Sequence, residues 1–305
     1  MNGTWGTHLA PFHNKKVIIA SVGCGPYVNR GNVLIERSTL RVLGLPPDTP
    51  RFSVFERISD DLLERINEYD YLVVTGCTTL QDHEEHQACF DVQFERITIP
   101  KLCFGAAFCC RAEDTPSLRI AKMYALPIGA RDPWTYEYLS SNGVDCELIG
   151  CPTILEGSDL NDWISDSKGE ILISSTPNVK GWQSSWVADR SVRYISHDAS
   201  SPGDNILADR IFEKANLVIT SRLHAALPAI SKGIKVKVYW TDYGESRFSL
   251  LEFLGIQLNG ELPSVYPRMQ IQFLRRNYAI WLRRVLSGEG MGAPVTRSSR
   301  DTSRN

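Results

Sequence analysis

Short apolar runs alternate along this chain with longer segments of helical period. In the first half the runs are KVIIASV (16–22), RFSVFE (51–56), YLVVTG (71–76) and KLCFGA (101–106), with shorter ones at LPIGA and CELIG. Runs this apolar suit strands covered on both faces, and the segments between them, notably 32–43 and 59–68, have the spacing of helices. That order predicts βαβ units on a parallel sheet. The pattern then repeats with EILISS (170–175), SVRYIS (191–196), NLVITS (216–221) and KVKVYW (235–240), which predicts a second, smaller doubly wound sheet. Between the two halves, residues 151–168 mix Pro, Gly, Asp and Ser and mark a boundary. YPRMQIQFLRRNYAIWLRRVL (266–286) places apolar residues on one helical face and Arg on the other, so a long terminal helix is expected there. The division that follows is an N-terminal extension at 1–15, a first α/β domain at 16–155, a second at 156–286 that includes the terminal helix, and a disordered tail at 287–305.

Composition narrows the function classes. The 305 residues carry a formal charge of −2, with acidic and basic residues mixed along the chain. This leaves no electrostatic footprint for nucleic acid and no polybasic anchor. Eight cysteines occur without a C-x-x-C pair, which points to a reducing, cytoplasmic setting. No segment approaches the roughly 20 apolar residues of a membrane span, and the first residues lack a signal-peptide pattern.

In open α/β sheets, ligands gather where strands end and helices begin. Four such corners carry chemistry. SVGCGPYVNRGN offers Gly23, Gly25 and Gly31 before a helix. It matches neither the dinucleotide fingerprint nor a P-loop, so it reads as an anion cradle or simply a tight turn. In LPIGARDPWTYEYLSSNG, Asp132 is an N-cap, Pro133 a first helical residue and Gly143 a helix stop. Arg131 then sits at a helix mouth, as an anion clamp or as one half of an ion pair. In TSRLHAALPAISKG, Ser221 is the expected N-cap. Arg222 and His224 then fall in the first turn, where a cation opposes the helix dipole and a bound anion would relieve the conflict. The alternative for His224 is a structural histidine, and Pro228 is comfortable only if the helix begins near Ala225. Finally, His83 and His86 near Asp82 and Cys89 are one residue short of a zinc spacing, so no metal is expected. No nucleophile elbow or activated cysteine is present.

At the third corner the chain resembles a known family. ANLVITSRLHAALPAISKGIKVKVYWTDYGESRFSLLEFLGI is similar to the C-terminal signature of polysaccharide pyruvyl transferases, with its R-L-H-A. SVGCGPYVNRGNVLIERSTLRVLG, YDYLVVTGCTTLQD and IPKLCFGAAF with ALPIGARDPWTYEYLSSNGVDCELIGCPTIL resemble three further elements in the family's order. The chain departs by carrying Asn32 and Val33 where the family has Gly-Asp, and by keeping only Gly76 of a Gly-rich run. The resemblance implies two Rossmann-like domains with parallel sheets facing across a cleft, similar to GT-B glycosyltransferases. It also implies a transferase that moves the pyruvyl group of phosphoenolpyruvate onto two hydroxyls of a sugar, forming a cyclic ketal and releasing phosphate.

On that reading Arg131 and Arg222 clamp the donor, and His224 either protonates its methylene carbon or pairs, as imidazolium, with the departing phosphate. Gly23, Asn29, Asn32, Gly76 and Asp82 on the acceptor side, with Asp132 and Ser221 beside the arginines, are candidates for substrate contact. The expected partners are phosphoenolpyruvate and a sugar acceptor, which can be lipid-linked, with no cofactor. A GT-B enzyme using a nucleotide sugar, for which Glu56 is placed to meet a hydroxyl, and a non-catalytic sugar or anion binder are the competing readings.

Overall fold

A computed structural model describes residues 11–25, 30–81, 89–111, 113–157, 160–164, 169–174, 191–195, 212–240 and 245–288. Asn29, Asp82, His83 and His86, and the tail beyond 288, lie outside the described residues. Six parallel strands form the first sheet: β1 (Val17–Ser21), β2 (Arg51–Ser53), β3 (Tyr71–Cys77), β4 (Lys101–Ala106), β5 (Ile128–Ala130) and β6 (Cys146–Leu148). They lie in the order β2-β1-β3-β4-β5-β6. The second sheet has β7 (Glu170–Ser174), β8 (Val192–Ile195), β9 (Ala215–Thr220) and β10 (Lys235–Val238), also parallel, in the order β10-β9-β7-β8. Both sheets are wound alike: the second strand pairs on one side of the first and the third on the other. Their topological switch points therefore fall between β1 and β3 and between β7 and β9.

The strands are the apolar runs, and β1, β4 and β9 are buried almost throughout. The run at 51–56 yields only three strand residues, because the Ser53 hydroxyl accepts the Phe55 amide at 3.1 Å and turns the chain. The helices are α1 (Arg30–Leu43), α2 (Asp60–Ile66), α3 (Val92–Glu95), α4 (Pro133–Ser141), α5 (Pro152–Leu155), α6 (Leu223–Ser231), α7 (Ser249–Phe253) and α8 (Arg268–Ser287). Asp132 caps α4 as expected: its carboxylate accepts the Thr135 amide at 2.9 Å, and Gly143 beyond the helix has φ 73°.

The last helix is bonded to the first sheet, although the sequence reading grouped it with the second half. The Trp281 indole donates to the Pro127 carbonyl at 2.7 Å and stacks on Phe104, with ring centroids 5.4 Å apart. Asn277 donates to the Leu148 carbonyl, and Arg284 pairs with Asp145 and Glu147 beside β6. Periodicity reveals that α8 has a buried face but not which sheet covers it. No helix among the described residues is long and apolar enough to cross a membrane.

Candidate active site

Two helix N-termini meet. α1 follows the β1 corner and α6 follows β9, so each begins at the carboxyl edge of a switch-point strand. They pack on each other, and Gly31 lies against His224 so closely that a Cβ on Gly31 would stand 2.6 Å from the His224 Cβ and 2.7 Å from its Nδ1. Asn32, the next residue of α1, is buried. The positive ends of two helix dipoles thus adjoin at one place, the arrangement that favours an anion.

At the β9 corner the N-cap of α6 is Arg222, not Ser221. Arg222 has extended backbone, and its amide donates to the Thr220 hydroxyl at 2.9 Å. A guanidinium accepts nothing, so it makes no side-chain cap, and the first turn relies on the Ala225 and Ala226 amides sharing the Arg222 carbonyl at 3.1 Å. Arg222 is exposed, Ser221 is buried and His224 is half-buried. Pro228 lies inside α6, where the amide it lacks would have bonded the His224 carbonyl, so the helix starts before Ala225 and accommodates the proline.

The β1 corner is held by a buried network that sequence reasoning did not identify. Glu36 of α1 is 5 % exposed, accepts from the Ser21 hydroxyl and pairs with Arg51. The Ser21 oxygen accepts the Gly23 amide at 2.8 Å, and a Cβ on Gly23 would meet the Glu36 carboxylate at 2.6 Å. Gly23 is therefore required by close approach of the loop to Glu36. Val22 donates to the Thr75 hydroxyl at 3.0 Å, tying this corner to β3. The Cys24 thiol is pushed up by burial and by the nearby Glu36 carboxylate, which keeps it protonated. A charged residue at helical spacing inside an apolar segment, as Glu36 is, was the available signal. Gly76 packs directly on the Phe104 and Gly105 carbonyls of β4, where any side chain would collide with backbone.

Arg131 and Asp132 stand at the end of β5, two strands from β3. They are 1 % and 0 % exposed and pair at 3.3 Å, so the Arg131 pairing is a buried ion pair. Burial raises the Asp132 carboxyl above its ordinary value, opposed by the Arg131 charge and the Thr135 hydrogen bonds. Asp132 also accepts from Ser249 at 3.4 Å, and Ser246 accepts the Cys110 amide at 3.3 Å. The segment after β10 thus leans on the carboxyl ends of β4 and β5. Glu56 is exposed beyond β2.

Comparison with known proteins returns the family model described as polysaccharide pyruvyl transferase, matched over residues 5–243. No curated protein matches the chain. Among solved structures, an uncharacterized protein from Klebsiella pneumoniae subsp. pneumoniae is 16 % identical, with 79 % of this chain and 89 % of that one covered and a TM-score of 0.48. A putative UDP-N-acetylglucosamine 2-epimerase from Listeria monocytogenes is 11 % identical, with 91 % and 90 % covered and a TM-score of 0.43. At these scores the two structures carry no functional inference. The family match spans the β1 corner, the buried Arg131–Asp132 pair and the α1–α6 junction at His224, and the chain belongs to the polysaccharide pyruvyl transferase family.

Proposed function

We propose that this protein transfers the pyruvyl group of phosphoenolpyruvate to two hydroxyls of a sugar, with the donor seated where α1 and α6 meet, between the two α/β units. The observation that carries this reading is the packing of Gly31 against His224, with Arg222 exposed beside it. Two helix N-termini and a planar guanidinium suit a donor that bears both a phosphate and a carboxylate. Arg222 holds one of these groups. Arg131, buried in its ion pair, serves this reading by fixing Asp132 and the start of α4, or by reaching a donor group from within.

The chemistry balances with His224 as a shuttle. Its imidazolium gives a proton to the donor methylene, which becomes a methyl group, and the adjacent carbon becomes electrophilic. A sugar hydroxyl adds to that carbon and its proton returns to the imidazole. The C–O bond to phosphate then breaks. A second hydroxyl adds, and its proton leaves with the phosphate, giving a ketal and hydrogen phosphate. An imidazole ring can both give and take a proton, as this scheme requires. On the acceptor side, the loop shaped by Ser21, Gly23 and Glu36 positions the sugar, with Asn32 one helical turn before Glu36. Asn29, Asp82 and Gly76 remain candidates there, and a lipid-linked acceptor in a cytoplasmic setting fits the same scheme.

Thermal denaturation with phosphoenolpyruvate and with a panel of nucleotide sugars tests the assignment. The expected result is a rise in Tm with phosphoenolpyruvate that Arg222→Ala removes. A rise with a nucleotide sugar and none with phosphoenolpyruvate would transfer the reading to glycosyl transfer.

A further inference from the structure

The solvent face of α8 is both apolar and cationic. Met269, Phe273 and Ile280 are 75 %, 47 % and 37 % exposed, and Arg276 and Arg283 are exposed beside them. At about 100° per residue these five side chains fall within an arc of about 80° on one side of the helix. Ile271, Leu274, Trp281, Leu282 and Val285, on the opposite side, are buried. Val265, 75 % exposed, and the exposed Arg268 extend the patch at the helix start.

The helix contains no Asp or Glu over its twenty residues. The two carboxylates that it meets on the first sheet, Asp145 and Glu147, are both engaged by Arg284. Among the described residues, no carboxylate pairs with Arg276 or Arg283, and both face solvent. Phe273 uses one edge against the Phe253 ring of α7, with ring centroids 5.8 Å apart, whereas Val265 and Met269, each 75 % exposed, stand beside arginines on the outer side.

We infer that this face of α8 docks on an anionic lipid surface. Guanidinium groups at the level of the lipid phosphates and apolar side chains at the headgroup–acyl boundary are what such a face satisfies together. A second copy of the chain is disfavoured, since a two-fold contact centred on this patch sets Arg276 against its own copy. The binding does not depend on the reaction proposed above. Its use, presenting the site to a lipid-linked acceptor, does rest on that reading.

The test is flotation of the full chain with vesicles of phosphatidylcholine alone and of phosphatidylcholine containing roughly 30 mol % phosphatidylglycerol. Binding to the anionic vesicles, weakened by salt, and none to the neutral ones is expected. Because the sequence continues past α8 with Arg297, Arg300 and Arg304, the variants are confined to the helix. Arg276→Glu with Arg283→Glu, and separately Val265→Ser with Met269→Ser, should each lower binding by about tenfold or more while Tm stays near wild type. Equal binding to both vesicle types, or variants that bind as wild type does, overturns the inference. So does a wild-type dimer that the Val265→Ser, Met269→Ser pair dissociates without any vesicle binding. Loss of vesicle binding with unchanged phosphate release from a soluble acceptor would separate docking from catalysis.

Discussion

Replacing Gly31 by Ala asks whether α1 and α6 truly meet at His224. In an exposed helix this change stabilises by roughly 0.5–1 kcal/mol, because Ala has less backbone entropy to lose. Here the new Cβ would lie 2.6 Å from the His224 Cβ, 2.7 Å from Nδ1 and 2.9 Å from Cγ. The His224 Cβ is fixed to the helix backbone and cannot rotate away, so α6 has to shift. Overpacking of this kind costs about 1–3 kcal/mol, which outweighs the helix gain and leaves a net loss on the order of 1–2 kcal/mol. Urea denaturation of Gly31→Ala, His224→Ala and the double variant measures it. His224→Ala removes the two ring contacts and keeps the Cβ contact, so the cost of Gly31→Ala should fall by about 0.5–1 kcal/mol in that background. A Gly31→Ala protein as stable as wild type or more stable, with no coupling to position 224, would refute the junction on which the site is built.

Three further outcomes follow from the buried groups. Arg131→Met leaves the fully buried Asp132 without its cation and should destabilise by about 3–5 kcal/mol at neutral pH by urea titration. Since burial already raises the Asp132 carboxyl, the native state holds its proton more tightly than the unfolded state does. Stability from this group therefore falls as pH rises from 3.8 through the folded value, so the Arg131→Met loss should shrink toward pH 5; a loss independent of pH would assign it to packing alone. Cys103, at the centre of the first sheet, is pushed up by burial to about 12 from 9.0. Its contribution is lost as pH rises through and above 9, at up to about 1.4 kcal/mol per pH unit, so Cys103→Ala should lessen the fall in unfolding free energy between pH 9 and 10 by about 1 kcal/mol; an unchanged slope would refute the assignment. Trp281→Ala removes an indole that stacks on Phe104 and donates to Pro127, and should cost about 3–5 kcal/mol by the same titration. A loss under 1 kcal/mol would detach α8 from the first sheet.

The central strands were legible because parallel strands covered on both faces must be apolar, as VIIAS and ANLVIT are. The α4 cap was legible because Asp-Pro followed ten residues later by Gly satisfies both helix ends locally. What stayed hidden depended on tertiary partners. Nothing in RLHA shows that Arg222 would be the cap residue, since Ser221 has the better capping chemistry, yet the strand runs on to Thr220 and its hydroxyl takes the Arg222 amide. The Ser21–Glu36–Arg51 network joins three elements and appears only once β1, α1 and β2 are assembled. Arg131 was visible as an arginine at a strand end, but its burial is a tertiary property shared with its partner Asp132, which also accepts from Ser249 of the returning segment. The register of His224 on Gly31 needs both units to be in place.

Release of phosphate from phosphoenolpyruvate, measured with and without a panel of free and lipid-linked β-galactosides, glucosides and N-acetylmannosamines, tests the central claim most directly. The account predicts acceptor-dependent release with a product heavier by one pyruvyl unit, lost in His224→Ala while the variant remains folded. Tight binding of phosphoenolpyruvate with no phosphate released for any acceptor, or release that persists in His224→Ala, would contradict it.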